Sequence, residues 1–324
     1  VTPTLLYDFA ISQAIRQRID QPQAPKPVRG DCRLMVYRKA AGTVEHRQFA
    51  DILEYLKGKE IWVNESKLLR RRLRLTDRWG AMTWATFLVQ QAPRKWQVEF
   101  HHDASPKVED IFQADDGTGV LVIDRNAGYY VVVLNQEPDW EGIGTVPFDV
   151  RTIRPPDERD VAAYECVWAR VPGCLTVPTA GIPFTEAISA QLDVRKLVLH
   201  LGHNAYGLLN AQNIENCELP GEEYAIGVPP SKPVIAIGTT VTRALETYAL
   251  TGQRRGYTEL FIREGHQFRL TEGLLTNFHL PLESLTVLAA AFAGGREKLL
   301  PLYEQAVELG YDFSDYGDSM LILP

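Results

Sequence analysis

From about Thr76 to Val133 the texture of the chain changes to alternating apolar and polar residues. Trp96-Gln97-Val98-Glu99-Phe100, Gly119 to Asp124 and Tyr129 to Leu134 are examples, with turn residues such as Asp115-Asp116-Gly117 between them. A period of two buries one face of a strand, so this stretch predicts a small antiparallel β domain. The first sixty residues instead give a Pro-rich entry at Gln21 to Pro27 and a strand at Arg33 to Tyr37. A helix near Phe49 to Leu56 and a strand at Ile61-Trp62-Val63 follow. After Pro155-Pro156, helix and strand patterns alternate to the last residue, which reads as α/β.

A chain of 324 residues suffices for two domains with a large core. Its 45% hydrophobic and 23% charged residues are those of a soluble globular protein. No run of 18 apolar residues occurs, so no membrane-spanning helix is expected. Val1 to Phe9 lacks the pattern of a signal peptide. Cys32, Cys166, Cys174 and Cys217 show no Cys-x-x-Cys spacing, which predicts a reduced, cytoplasmic protein without structural zinc. The net charge of −7 argues against nonspecific nucleic-acid binding but leaves room for a local basic patch. Lys67, Arg70-Arg71-Arg72, Arg74 and Arg78 form the one dense basic run. It reads either as a phosphate-contact patch or as a charged guard on a strand edge.

Four junctions concentrate polar residues in apolar settings. Leu275-Thr276-Asn277-Phe278-His279-Leu280-Pro281 follows a short strand at Leu274 and Leu275, and Pro281 opens a helix to about Ala293, stopped by Gly294-Gly295. Val234 to Ile237 reads as a buried strand and Gly238-Thr239-Thr240 as the turn after it. Val241 to Leu250 then reads as a helix with Arg243 and Glu246 in its first turns. Free N–H groups at such a helix start bind carboxylate or phosphate. Pro178-Thr179-Ala180-Gly181-Ile182-Pro183-Phe184-Thr185-Glu186 is stiffened by its prolines, and Thr185 suits a helix cap. Tyr316-Gly317-Asp318-Ser319-Met320-Leu321-Ile322 sets an acid and a hydroxyl before a terminal strand. Sites of α/β proteins usually lie at junctions of this kind.

Together these segments resemble the S-adenosylmethionine:tRNA ribosyltransferase-isomerase family, which builds the epoxyqueuosine side chain on tRNA. The resemblance runs from Tyr7-Asp8-Phe9 through Arg33-Leu34-Met35-Val36 to Gly317-Asp318-Ser319-Met320-Leu321-Ile322. Its specific marks are Pro178-Thr179-Ala180-Gly181, Gly238-Thr239-Thr240 with Arg243 and Glu246, and Thr276-Asn277-Phe278-His279-Leu280-Pro281. Thr76 to Glu141 carries almost none of it. The resemblance implies a discontinuous α/β domain, residues 1–63 and 151–324, with an antiparallel β-barrel-like domain inserted at 64–150. It also implies a monomer, with S-adenosylmethionine as co-substrate and tRNA as partner. In the family's reaction the ribosyl part is transferred to the aminomethyl group of a 7-deazaguanine and rearranged to an epoxycyclopentane, while adenine and methionine leave.

That chemistry needs a base near the ribose carbon beside the sulfonium, an aromatic face for the cation and an anchor for the amino-acid carboxylate. By resemblance the catalytic candidates are His279, since an unperturbed histidine has a pKa close to neutrality, and Asp318, Glu246 and Glu222. Asp318 and Glu246 serve equally as ion-pair partners of Arg243 or of another basic residue of the core. The cofactor candidates are Thr179, Ala180, Gly181, Phe184, Gly238, Thr239, Thr240, Arg243, Thr276, Asn277 and Phe278. Phe278, Phe184 and Tyr257 suit either the sulfonium or the core. The carboxylate suits the N–H groups of Gly238 to Thr240, with Arg243 nearby. Lys67, Arg70, Arg71 and Arg72 are the nucleic-acid candidates.

The chain departs from the family pattern where the acceptor is expected. Pro183 stands for a histidine, Gly202-His203-Asn204-Ala205-Tyr206 for a Gly-x-Gly-Thr-Phe loop, and Leu282 for a lysine. Cys217-Glu218-Leu219-Pro220-Gly221-Glu222 stands for His-x-Met-His-x-Glu, so both histidines are gone and Glu222 remains. Asn64-Glu65-Ser66-Lys67 replaces a motif ending in arginine, and lysine lacks the planar fork. Three readings follow: a divergent tRNA enzyme, the same cofactor chemistry on a small-molecule acceptor, or a non-catalytic nucleoside- or RNA-binding paralogue. His200, His203 and Cys217 fall short of a metal site for want of a fourth ligand.

Overall fold

The structure, a computed structural model, describes residues 24–101, 104–126, 128–147, 158–203, 218–280 and 283–324. Tyr7 to Phe9, Pro155-Pro156, Asn204 to Cys217, Pro281 and Leu282 lie outside the described residues. The chain divides into two compact units, Val1–Lys67 with Asp149–Pro324, and Leu68–Phe148.

The first unit begins with β1 (Arg33–Arg38), β2 (Thr43–Gln48) and β3 (Glu60–Asn64). The inserted unit carries β4 (Arg72–Asp77), β5 (Met82–Ala92), β6 (Lys95–Phe100), β7 (Ile111–Ala114), β8 (Gly119–Asn126) and β9 (Tyr129–Leu134). The first unit then resumes with β10 (Asp193–Leu199), β11 (Glu222–Ile226), β12 (Val234–Ile237), α1 (Thr239–Thr251) and β13 (Arg255–Thr258). It closes with β14 (Thr271–Asn277), α2 (Ser284–Ala293), α3 (Arg296–Glu308) and β15 (Ser319–Leu323).

The inserted unit is a closed antiparallel barrel in the order β9-β6-β5-β4-β7-β8. Its alternation turns Leu73, Leu75, Phe87, Val98, Val120 and Val132 inward with the aromatic rings of Trp96 and Phe100. Closure pairs every strand, which removes the open edges that invite aggregation.

The α/β unit is a mixed sheet in the order β13-β11-β10-β3-β12-β14-β15-β1-β2. β10, β3, β12 and β14 are mutually parallel. β15 runs antiparallel to β14, and β1 runs parallel to β15. The carboxyl ends of the four parallel strands therefore share one sheet edge with the starts of β15 and β1: Asn277 pairs with Ser319, and Ser319 with Leu34. Ligands of parallel sheets bind outside such carboxyl ends. β12, Val-Ile-Ala-Ile, is buried at every position because it is covered on both faces. Gly238, at φ +101, lets the chain pass from β12 straight into α1, a turn that L side chains resist. On β14, β15 and β1 alternation turns Leu274, Met320, Ile322 and Met35 toward α2 and α3, where they pack with Phe292 and Tyr303. Each such side chain contributes roughly 1.5–3 kcal/mol when fully buried.

Some bounds differ from expectation. β2 was not anticipated, because Thr-Val-Glu-His-Arg-Gln carries little apolar signal and is held as an edge strand by its pairing with β1. β14 extends through Asn277, since its pairing with β15 continues to that residue. The helix expected at 49–56 splits into a 3-10 turn, Phe49–Asp51, and the helical turn Ile52–Leu56. Among the described residues no helix is long and apolar enough to cross a membrane.

Candidate functional site

Polar residues of three junctions line one cleft at this sheet edge. Gly238, Thr239 and Thr240 at the start of α1 meet Thr276 at the end of β14 and His279 just after it, with Thr179 and Ala180 from the Pro178 turn. Leu201 and Leu285 supply apolar wall. The cleft encloses about 20 Å³, room for one water, so a nucleoside enters only if the walls part.

The turn after β14 brings His279 back over the strand. Its Nε2 lies 2.9 Å from Thr276 Oγ1. Glu283, 1% exposed, stands behind the ring with Oε2 3.7 Å from His279 Nδ1. The same oxygen accepts the Leu280 N–H at 3.2 Å. Glu283 is also the N-cap residue of α2, where the helix dipole favours negative charge. Sequence reasoning missed this acid; its only signal was a carboxylate four residues after His279.

The start of α1 has no side-chain cap. Thr240 Oγ1 is buried there without a hydrogen-bond partner among the described residues. Both polar atoms of the Asn277 amide, 1% exposed, are also unpartnered. Alternation points Asn277 to the opposite face of β14 from Thr276, so it stands outside the cleft wall. An unsatisfied buried polar group costs about 1–3 kcal/mol and is rare in native proteins.

The other expected acids are fastened to the scaffold. Glu222 forms a buried ion pair with Arg243 and accepts the Gly202 N–H at 3.2 Å. Burial holds its carboxyl above the ordinary range, although Arg243 pulls the other way. Glu246 accepts the N–H groups of Arg269, Leu270 and Thr271 at 2.9, 3.0 and 2.9 Å. Asp318 accepts from the Arg33 backbone N–H at 2.7 Å, from Arg33 Nε and Nη2 at 3.1 and 2.8 Å, and from the Asp312 N–H at 2.8 Å. Each of these carboxylates is occupied by arginine or backbone donors that join two segments of the chain. Arg243 is also engaged: beyond Glu222, its Nε donates to Leu260 O at 3.1 Å and its Nη2 to Thr258 O at 3.4 Å. It faces β11 and the end of β13, away from the start of α1, where the donors are neutral.

Two of the three expected aromatic contacts sit in the core. Phe278 is enclosed by Tyr303, Tyr311 and Phe313, with centroids at 5.6, 5.3 and 5.4 Å. Phe184 packs on Phe49 and Trp168. Tyr257 is largely exposed on β13, at the far edge of the sheet. Gly181 is a packing position, since a Cβ there would come within 2.6 Å of Cys166 Sγ. Thr185 caps its helical turn, accepting the Ile188 N–H at 3.2 Å.

A second imidazole lies at the same sheet edge. Asn64 ties β3 to Leu199 in both directions, at 2.8 and 3.1 Å, and accepts the Ser66 N–H at 3.0 Å. Ser66 Oγ lies 2.7 Å from His200 Nδ1. Burial lowers the His200 pKa. Among the described residues no group of three metal-ligating side chains forms. Burial pushes Cys32, Cys166 and Cys174 up to about 12, which keeps them as thiols.

Residues 6–322 match the queuosine biosynthesis protein family. The chain belongs to that family. The S-adenosylmethionine:tRNA ribosyltransferase-isomerase of Anaeromyxobacter dehalogenans is 32% identical over 345 residues, covering 98% of each chain. That of Sulfurihydrogenibium sp. is 30% identical over 319 residues, covering 92% of this chain and 95% of its own. A crystal structure of S-adenosylmethionine tRNA ribosyltransferase from Thermotoga maritima is 26% identical, covers 93% of this chain and 95% of its own, and gives a TM-score of 0.49.

In this queuosine-family chain, Pro183 borders a larger cavity of about 490 Å³, with Pro25, Lys26, Arg29, Asp315 and Tyr316 on its walls. Of the other replacements, Pro220 is exposed, and Cys217 and Leu282 lie outside the described residues. Only part of the basic run is absorbed by the barrel, and Arg74 and Arg78 are exposed. Arg71 stacks on Trp96 and Trp140, 5.0 and 4.4 Å from their centroids. Arg72 is buried, 4.9 Å from the Trp84 centroid, and burial lowers its pKa to about 10. Arg70 Nε donates to Gly144 O at 2.8 Å. Lys67 and Arg70 remain exposed. Arg72→Ala is therefore expected to lower the barrel's thermal stability through lost packing, without altering the salt dependence of RNA binding. A salt slope reduced by about one would return Arg72 to the phosphate patch.

Proposed function

We propose that this chain transfers and rearranges the ribosyl part of S-adenosylmethionine onto the 7-aminomethyl-7-deazaguanine of tRNA, giving epoxyqueuosine. Membership of the queuosine family over residues 6–322 carries the reading. The chemistry of the sheet edge fits such a co-substrate. The uncapped start of α1 and the Thr240 hydroxyl offer neutral donors to a carboxylate. When bound, the co-substrate supplies the sulfonium that acidifies its own ribose carbon. His279 is the group that takes the proton, because Asp318, Glu246 and Glu222 are engaged elsewhere. A cytoplasmic monomer acting on tRNA completes this reading.

A second reading, the same chemistry on a different acceptor, is favoured by Pro183 on the wall of the 490 Å³ cavity, where the family pattern has a histidine. Loss of a hydrogen-bonding side chain from a substrate pocket weakens its discrimination. Adenine release from S-adenosylmethionine, with and without tRNA carrying the aminomethyl-deazaguanine, tests both. Release that depends on this tRNA, at a rate well below that of the Anaeromyxobacter relative, is expected. Release with no tRNA dependence favours the second reading, and no release at all leaves a binding protein.

A further inference from the structure

We propose that Glu283 is a positioning residue that fixes the tautomer of His279, so that Nε2 is the proton-accepting atom at the cleft. The inference rests on the reading of His279 as the base.

The geometry is a hydroxyl, an imidazole and a carboxylate in sequence: Thr276 Oγ1, then His279 Nε2 at 2.9 Å, then His279 Nδ1 with Glu283 Oε2 at 3.7 Å. A carboxylate accepts but does not donate, so Glu283 favours the proton on Nδ1. Nε2 then holds the lone pair and accepts the Thr276 hydroxyl proton in the resting state. Thr276 has a second acceptor, the Asn277 carbonyl at 3.3 Å. Turning its O–H onto that carbonyl frees the Nε2 lone pair. When Nε2 takes a proton, the substrate C–H bond breaks, an N–H bond forms and the electron pair remains on carbon. The ring becomes imidazolium, with its Nδ1–H toward an anion.

Glu283 can hold its charge although it is 1% exposed. It lies at the N-terminus of α2 and receives the Leu280 N–H. Among the described residues the Tyr303 phenol on α3 also lies against this pair, held protonated by burial and then by the Glu283 charge. The arrangement has the same order of roles as a hydroxyl-imidazole-carboxylate triad, in which replacing the carboxylate by its amide lowers kcat by about 10⁴. At 3.7 Å the coupling here is looser, so a smaller effect is expected.

The test uses the full chain with ¹⁵N-labelled histidine. Nitrogen shifts of His279, assigned by difference from His279→Asn, report tautomer and pKa without any turnover. Glu283→Gln should lower the His279 pKa and weaken the Nδ1–H preference. In adenine release it should lower kcat about 10²-fold with little change in KM, and Glu283→Asp should recover part of the loss. A folded Glu283→Gln protein with unchanged tautomer and unchanged pH profile overturns the proposal. If Glu283→Gln does not fold, Thr276→Val is read in the same titration: retention of the Nδ1–H form supports the proposal, and a switch of tautomer overturns it. Absence of adenine release by the unmodified protein would remove the functional reading, while the nitrogen shifts would still decide the coupling of Glu283 to His279.

Discussion

Arg243→Ala is expected to destabilise the folded protein by roughly 3–5 kcal/mol, the effect of leaving a buried carboxylate without its partner. Arg243 is 3% exposed and Glu222 4%. The substitution also frees the carbonyls of Leu260 and Thr258 from their donors. Urea denaturation at neutral pH measures the loss. The pH dependence gives a second check. Burial already raises the Glu222 carboxyl above its ordinary value, and removing Arg243 raises it further. A raised folded pKa means a contribution present at low pH and lost as pH rises through the folded value. The deficit of the variant should therefore shrink as pH falls toward the ordinary glutamate range, about 4.3. Replacing both partners by apolar residues of similar volume should restore much of the stability, because the uncompensated charge is then gone. Unchanged stability with S-adenosylmethionine binding weakened by about 1.5–3 kcal/mol would instead return Arg243 to the role its motif position suggested.

Legibility in the sequence followed the range of the interaction. The barrel strands were readable because a period of two survives in Trp96 to Phe100 and Tyr129 to Leu134 whatever they pack against. The passage from β12 through Gly238 into α1 was readable because glycine and the apolar run are local signals. The partners of the acids were not. Asp318 finds Arg33 across 285 positions of sequence, and Glu222 finds Arg243 across 21, so no window of sequence contains either clamp. An acid beside a conspicuous arginine or histidine looks the same in sequence whether it serves chemistry or holds two elements together. Glu283 was hidden for the opposite reason. It is four residues from His279, but the intervening Pro281 makes helical spacing a poor guide to whether the two side chains meet. The barrel arginines were ambiguous because charge suggested solvent, while the flat faces of Trp84, Trp96 and Trp140 offered a partner that hydropathy does not register.

His279→Asn is expected to reduce adenine release by about 10²–10⁴-fold while leaving the fold and co-substrate affinity nearly unchanged. Asparagine keeps a polar group within reach of Thr276 but has no lone pair that titrates near neutrality. The size of the effect follows from how the other candidate acids are held. Asp318, Glu246 and Glu222 accept hydrogen bonds from arginine or backbone donors, and proton uptake by any of them would break a clamp. Asp318→Asn and Glu246→Gln should therefore act on stability first, with activity lost in proportion to unfolding. His279→Asn should separate the two, retaining its denaturation midpoint while kcat falls. The measurement is a single-turnover assay at matched salt, since phosphate contacts make tRNA affinity salt-dependent. His200 is the control. It lies at the same edge but its Nδ1 is tied to Ser66 Oγ at 2.7 Å, so His200→Asn should change kcat far less. Equal losses from the two histidines would mean that the proton reaches solvent through both. Loss from His200 alone would move the base to the β10 end of the sheet and leave Glu283 and Thr276 as a structural tether for α2.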